Sequence, residues 1–326
     1  MDELYRRLQA LFPDRSRKLE PMARHTTFKI GGPADVFIVA KSADELMQII
    51  IEARRLSVPL FIFGGGSNIL VGDKGIRGLV VKNMTSTITI AGAKGSIVAG
   101  QSRGNVFVEV DSGVTINKLV RFTIEEGLSG LEMQLGLPGT VGGAMYMNSK
   151  WTHPNRYVGD SVYQAIIVGN DGKTKVVPKS YFQFGYDTSI LQKSQDIVIK
   201  VTFSLTHKDK ESLWDRANAS ISYRRESQPQ GVFSSGCTFR NISQSAAFSI
   251  PTPSHTTSAG FLVDHAGLKG ESVGDAMISP VHANFIINKG KAMAKDVVAL
   301  IKKAQERVKN QFGVILEEEI VYVGEF

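Results

Sequence analysis

The sequence predicts an α+β protein of two domains, and three observations carry that reading. Segments with helical periodicity are interleaved with short β-type runs along all 326 residues, with no internal repeat. Two glycine-rich runs, residues 61–70 and 135–144, each interrupt an apolar stretch. A short charged link at 207–211 separates a long strand-rich part from a shorter part that contains a long amphipathic helix. The length suits two or three domains better than one.

Hydrophobic residues make up 42% and charged residues 21%, as in an ordinary globular chain. The net charge of +7 is spread out, with no basic block interleaved with aromatics. A small anionic ligand such as a nucleotide explains it more simply than nucleic acid does. A single cysteine, Cys237, excludes an intramolecular disulfide and a cysteine-based zinc site, and no metal is expected. The first residues lack an apolar leader core, and no run of 18 apolar residues occurs. The expectation is a cytoplasmic protein with no membrane insertion.

The elements follow in order. Residues 1–20 read as holding an amphipathic helix with Leu4, Leu8 and Leu11 on one face, which Pro13 ends. A Gly31-Gly32-Pro33 turn precedes a strand over 34–40. Ser42-Ala43-Asp44-Glu45 is a capping box, opening a helix with Leu46, Ile49, Ile50, Ala53 and Leu56 on one stripe. Pro59 stops it, and a strand over 60–63 runs into the glycines. Strands are expected at 67–71, 79–81, 87–90 and 106–110, with a hairpin loop over 92–104. A helix over 115–127 stops at Gly127, and 148–158 is polar and irregular. An Asn170-Asp171-Gly172 turn joins strands at 165–168 and 174–177, and 197–205 is another strand. After the link come a helix over 213–225, a Ser/Thr/Pro-rich loop over 243–258 and a helix over 259–266. A strand over 284–288, a strong helix over 295–311 and a last strand over 320–323 complete the chain.

Gly64-Gly65-Gly66 is the stretch around which the rest is organised. Adjacent glycines permit positive φ and let backbone N–H groups converge on an anion such as a pyrophosphate. A plain turn between strands is the alternative for this loop taken alone. The second run, Leu135-Gly136-Leu137-Pro138-Gly139-Thr140-Val141-Gly142-Gly143-Ala144, favours a long ligand held at more than one point. The order helix, strand, glycines, extended segment is not that of a Rossmann unit, and neither G-x-G-x-x-G nor G-K-[ST] is present.

Six motifs in series resemble the UDP-N-acetylenolpyruvoylglucosamine reductases. They are Thr27-Phe28-Lys29-Ile30-Gly31-Gly32-Pro33-Ala34, the Gly64 to Asn68 loop, Gly130-Leu131-Glu132 leading into the second glycine run, Ser235-Gly236-Cys237-Thr238-Phe239-Arg240-Asn241, Ala259 through Gly270, and Leu316-Glu317-Glu318-Glu319-Ile320. The resemblance implies an α+β fold with an FAD-binding domain of the PCMH or vanillyl-alcohol-oxidase type, followed by a smaller α+β substrate-binding domain. On that reading, 1–24 is a helical extension, 25–207 the FAD domain and 208–326 the substrate domain, whose final strand packs back on the FAD domain. It also implies that NADPH reduces the flavin, which passes hydride to the enolpyruvyl group of the UDP-sugar, giving UDP-N-acetylmuramate for peptidoglycan synthesis. A monomer is expected.

The family chemistry needs a proton donor, a group at the developing enolate and backbone donors for the flavin. The resemblance assigns the flavin to Gly64, Gly65, Gly66, Ser67 and Asn68 with Pro138, Gly139, Thr140, Gly142 and Gly143. Cys237 stands where the family carries its proton-donating serine. A thiol, with a reference pKa of about 8.5, is protonated near neutrality and is the stronger acid. Glu319 matches the catalytic glutamate, and by alternation it shares a face with Glu317 and not with Glu318. Tyr186, Asn241, Lys269 and His282 match substrate or nicotinamide positions. A lone cysteine is otherwise an inert core residue, and Lys269 is otherwise a surface charge.

Two positions depart from the family. In Tyr186-Asp187-Thr188-Ser189 an aspartate replaces the arginine of Tyr-Arg-x-Ser, and a carboxylate there repels a carboxylate enolate. Arg156, in the atypical segment 151–157, is the expected substitute charge and so a third catalytic residue. Ser227 replaces a lysine, and 242–258 reads as an insertion. These departures keep two other readings open: a flavoprotein of the same fold with a drifted substrate, and a flavin- or nucleotide-binding protein without turnover.

Overall fold

The structure, a computed structural model, describes all residues except 99, 100, 153 and 154, and leaves out the side chains of 96–98 and 101–103. The expected loop at 92–104 and the atypical segment 151–157 therefore lie partly outside the described residues. The chain forms two compact units. One comprises Met1–Arg17, Val36–Gly65 and Gly78–Arg224, and the other Lys18–Asp35, Gly66–Arg77 and Arg225–Phe326. The units divide the C-terminal part at 224/225, whereas the sequence suggested 207/208. The helix Lys210–Ser227 accounts for the difference, because Leu213 and Ala217 are buried in the core of the first unit.

The first unit contains a six-stranded antiparallel sheet. Its path runs Thr174–Pro178, Val162–Val168, Ile197–His207, Gln101–Asp111, Ile88–Val98, with Leu128–Ser129 also pairing with Ile197–His207. Val106, Val108 and Val110 alternate inward along one strand, as a half-buried strand requires. They join Leu119, Val120 and Ile124 of the helix Ile116–Glu125 in one apolar core. Each fully buried valine or leucine contributes roughly 1.5–3 kcal/mol.

A second core in this unit lies under the helix Ala43–Arg55, whose buried stripe is Leu46, Ile49, Ile50 and Ala53. Ser42 caps it by accepting from the Glu45 N–H at 3.2 Å. Beneath lies a parallel pair, with Leu60 opposite Leu79 and Phe63 opposite Lys82, so the strand Leu60–Phe63 ends at the glycine triad. The N-terminal helix is Asp2–Leu11, ending ahead of Pro13, and Ser16–Pro21 is a strand. Pro13 lacks an N–H and disfavours a helical Phe12, so the helix cannot continue. Leu4 and Leu8 are buried, while Leu11, expected on the same face, is 40% exposed.

The second unit holds a four-stranded sheet in the order Phe233–Cys237, Phe285–Asn288, Ala276–Ile278, Ser272–Val273. The helix Ala294–Phe312 packs Val297, Ile301, Ala304 and Val308 into the same core as Leu262 and Val263 of the helix Ala259–His265. The strand Val321–Val323 runs parallel to Ile69–Val71, with Val321 opposite Ile69. The expected loop at 243–258 contains a short helix, Gln244–Phe248, capped by Ser243, and Ile250 enters the core.

The carboxylate of Glu45 accepts from the Arg15 guanidinium at 2.8 Å on each oxygen and from the Lys41 N–H at 2.7 Å. Chiefly through Arg15, its pKa falls from 4.5 to about 2. A depressed carboxylate pKa stabilises the fold above the unfolded value and loses that effect as pH drops through the folded one. Glu45→Gln should therefore destabilise the protein by about 1–2 kcal/mol at pH 7. The gap to the parent should close between pH 4.5 and 2, which thermal unfolding at several pH values will show. A gap that does not change with pH would remove the ion pair as its source.

Candidate functional site

The two glycine loops meet inside the first unit. A Cβ on Gly64 would fall into the Thr140 side chain, 2.8 Å from its Cβ, and one on Gly65 would stand 3.2 Å from Gly139 Cα. Backbone thus packs on backbone, leaving exposed Gly65, Pro138 and Gly143 around half-buried Gly139. The amides are not all available to a ligand. Gly142 N–H donates to the Ser112 carbonyl and Val141 N–H to that of Val114, both at 2.8 Å, while the Gly139 carbonyl accepts from Ile116 N–H. Gly142 therefore anchors the loop. Gly65, Gly139 and Gly143 are left as the surface, and a bare backbone floor of this kind fits the pyrophosphate of FAD.

Gly66, Ser67 and Asn68 belong to the second unit. A Cβ on Gly66, at φ 62°, would stand 2.8 Å from the His25 carbonyl oxygen. Thr27 N–H donates to the Gly66 carbonyl at 3.1 Å, and Thr27 Oγ1 donates to that of Ser234 at 2.7 Å. Asn68 Nδ2 donates to the Glu319 carbonyl at 3.1 Å, and Val321 N–H donates to that of Asn68. Glu319 N–H in turn donates to Thr238 at 2.8 Å, and Arg240 N–H to Glu317 at 2.9 Å, around a bridge between Phe239 and Glu318. Four motifs far apart in sequence are thereby laced together, with Cys237 at the end of the strand Phe233–Cys237 and Glu319 next to the bridge residue Glu318.

Asn284 locks this arrangement and escaped the sequence reading. It is buried, its Oδ1 accepts from Phe239 N–H and its Nδ2 donates to the Phe239 carbonyl, both at 2.8 Å. Its signal in the sequence was an amide set directly against an apolar strand. Glu318, the odd member of the acidic run, bonds Gln305 Nε2 at 3.1 Å and helps burial raise the pKa of Tyr322.

The other substrate candidates fall in separate places. In the second unit, Asn241 Oδ1 accepts from Ala259 N–H at 3.2 Å, fixing the start of a helix. Exposed Lys269 pairs with Asp264 at 2.6 Å. His282 Nδ1 accepts from Asn284 N–H at 3.2 Å, which puts the proton of the neutral ring on Nε2. Burial, and then the Lys269 charge, hold its pKa below the ordinary 6.5.

In the first unit, Tyr186 is 41% exposed, while the Asp187 carboxylate is buried against Lys150, whose Nζ lies 2.6 and 2.5 Å from its two oxygens. Arg156, the expected substitute charge, is not the cation that meets Asp187. It stands opposite Trp151 in a hairpin where Tyr157 opposes Lys150, so it points to the other face, and Nη1 donates to the Asn155 carbonyl at 3.1 Å. Lys150 was not among the sequence candidates, because nothing in Ser149-Lys150-Trp151 marks it. Among the described residues no group of three or more His, Cys, Asp or Glu could hold a metal ion, and no helix is long and apolar enough to cross a membrane.

Gly64→Ala should lower the flavin carried per protein at least tenfold, read from visible absorbance. Gly231→Ala, at φ 67° but with nothing within 4 Å of its Cβ, strains one backbone position away from the glycine loops and should retain it. Equal flavin in both would dismiss the bare floor as the binding surface. Asn284→Ala leaves the Phe239 N–H and carbonyl without their side-chain partner and should cost about 2–4 kcal/mol, measured by denaturant unfolding.

Comparison with known proteins matches this geometry. Residues 34–177 match the model of an FAD binding domain, and 228–323 match that of the UDP-N-acetylenolpyruvoylglucosamine reductase C-terminal domain. The chain is 35% identical to the UDP-N-acetylenolpyruvoylglucosamine reductase of Desulfosudis oleivorans over 100% of both chains. It is 36% identical to that of Bacillus subtilis over 94% of this chain and 93% of the relative. The crystal structure of the reductase (MurB) from Thermus caldophilus superposes with a TM-score of 0.73 at 32% identity, covering 94% of this chain and 98% of that one. A VAO-type flavoprotein from Myceliophthora thermophila, 12% identical, shares the fold with a TM-score of 0.51 over 85% of this chain and 70% of its own. The chain belongs to the UDP-N-acetylenolpyruvoylglucosamine reductase family, with an FAD-binding domain and that family's C-terminal domain.

Proposed function

We propose that the protein is an FAD-dependent oxidoreductase that uses NADPH to reduce the enolpyruvyl group of UDP-N-acetylglucosamine enolpyruvate, giving UDP-N-acetylmuramate for peptidoglycan synthesis. It acts in the cytoplasm as a monomer. One observation carries this reading beyond family membership. The Cys237 strand and the Glu319 segment, some eighty residues apart, are held side by side by Glu319 N–H to Thr238 O and Arg240 N–H to Glu317 O.

When bound, FAD supplies the hydride, taken from NADPH, that adds to the methylene carbon of the enolpyruvyl group. Gly65, Gly139 and Gly143 would hold its pyrophosphate where no side chain intervenes. Cys237 Sγ–H donates the proton to the adjacent carbon, at a strand end whose backbone is fixed by Thr238 N–H to Asn284 O at 2.7 Å. Glu319 is assigned to the developing enolate, where a carboxyl in its protonated form is a hydrogen-bond donor. Tyr186, Asn241, Lys269 and His282 bind the UDP-sugar and nicotinamide, His282 as a neutral Nε2–H donor. The Asp187 charge, which favoured a drifted substrate, is met by Lys150, so it gives no ground for preferring that reading.

The purified protein should be yellow and bleach with NADPH under anaerobic conditions, and the enolpyruvyl UDP-sugar should restore the colour. Cys237→Ala and Glu319→Gln should slow that reoxidation roughly 10²–10⁴-fold while leaving bleaching intact. Cys237→Ser should retain most of it. Bleaching without reoxidation in the parent protein would transfer the assignment to a different substrate.

A further inference from the structure

We propose that Lys150 is the cation that receives the carboxylate of the enolpyruvyl group, held in position by Asp187. The assignment rests on the proposed activity. A buried ion pair contributes little net stability, because desolvation offsets the attraction, so its place in the fold calls for another reason. The pair is asymmetric. The Asp187 side chain is 3% exposed and that of Lys150 12%, so the cationic member is the one nearer solvent. The Lys150 ammonium also lies 3.7 Å from the centroid of the Tyr186 ring, and Tyr186 is itself 41% exposed. The turn thus gathers an exposed aromatic ring, the ammonium against that ring, and a carboxylate more deeply buried than the ammonium's side chain.

The turn that presents them is tightly fixed. Asp187 sits at φ 53°, a costly conformation for a residue with a Cβ. Asn148 Nδ2 holds the Gly185 carbonyl at 2.8 Å, Gln192 Nε2 holds that of Asp187 at 2.9 Å, and Ser189 Oγ donates to the Tyr146 carbonyl at 2.8 Å. The strand carrying Lys150 follows the helix Val141–Met147, which begins at Thr140 of the second glycine loop. Seven helical residues span about 10 Å, so one short rigid element links that loop to the ammonium. Two anions of the substrate compete for such a cation, its carboxylate and its diphosphate. The pinned ammonium presents a single fixed charge, which suits the one-charge carboxylate.

The test uses full-length flavin-loaded Lys150→Met, Lys150→Arg and Asp187→Asn proteins. Two quantities are read: the rate at which the enolpyruvyl UDP-sugar reoxidises NADPH-reduced enzyme, and the affinity for UDP-N-acetylglucosamine, which has the diphosphate but no carboxylate. Lys150→Met should slow reoxidation roughly 100-fold, as for loss of one donor at a developing anion. NADPH reduction and UDP-N-acetylglucosamine affinity should stay within about threefold of the parent. Lys150→Arg should recover most of the rate, and Asp187→Asn, which loosens the ammonium but keeps it, should lose roughly tenfold. Three results would each overturn the assignment: reoxidation at the parent rate in Lys150→Met, a matching loss of UDP-N-acetylglucosamine affinity, or an Asp187→Asn defect as large as that of Lys150→Met. Failure of the parent protein to be reoxidised would instead strike the proposed activity.

Discussion

The architecture depends on the absence of side chains at 64–66. In the first unit the backbone of Gly64 runs against Thr140, where a single methyl group would collide. In the second, Gly66 lies against the His25 carbonyl, and the segment that follows is drawn into pairing with Val321–Val323. Gly64 packs on the branched Thr140 side chain, and Gly65 and Gly66 on backbone, which cannot rotate away as a side chain does. The same three residues therefore set the bare floor of the first unit and, in the second, the loop from which Asn68 reaches the Glu319 backbone.

From that loop the second unit builds its chemistry by main-chain accounting. Buried N–H and carbonyl groups must find partners, and here the partners are one another's motifs. Thr27 reaches Ser234, Thr238 is shared between Asn284 and Glu319, and Asn288 Nδ2 donates to the Phe28 carbonyl at 3.0 Å. Cys237 and Glu319 inherit their positions from these bonds. If Cys237 is the proton donor proposed above, a thiol in place of an alcohol adds acidity at the cost of sensitivity to oxidation.

The charge at Asp187 shows how a fold absorbs a substitution that looks prohibitive in one dimension. A carboxylate where the Tyr-Arg-x-Ser motif would place a guanidinium reverses the local sign. Lys150, from a neighbouring strand, restores a cation within the same few ångströms, and the Tyr186 ring supports it. Charge at a site is a property of the cluster, and a cluster assembled from residues 37 apart has no linear signature.

The sequence by itself determined the helices with strong stripes and caps, the strands ending on glycine, the exclusion of Rossmann and P-loop arrangements, and the motif series that marks the family. These are local or periodic features, legible because capping, glycine conformation and amphipathic spacing act over a few residues. Tertiary structure decided what depended on a distant partner. The helix Lys210–Ser227 falls in the first unit because Leu213 and Ala217 find a core there. The segment Ser16–Pro21 forms a strand through partners distant in sequence. Asn284 becomes a lock only when Phe239 lies across from it. Arg156 was the candidate in sequence and Lys150 was unmarked, yet hairpin alternation puts Arg156 on the Trp151 face and Lys150 against Asp187, because side chains one residue apart on a strand point opposite ways.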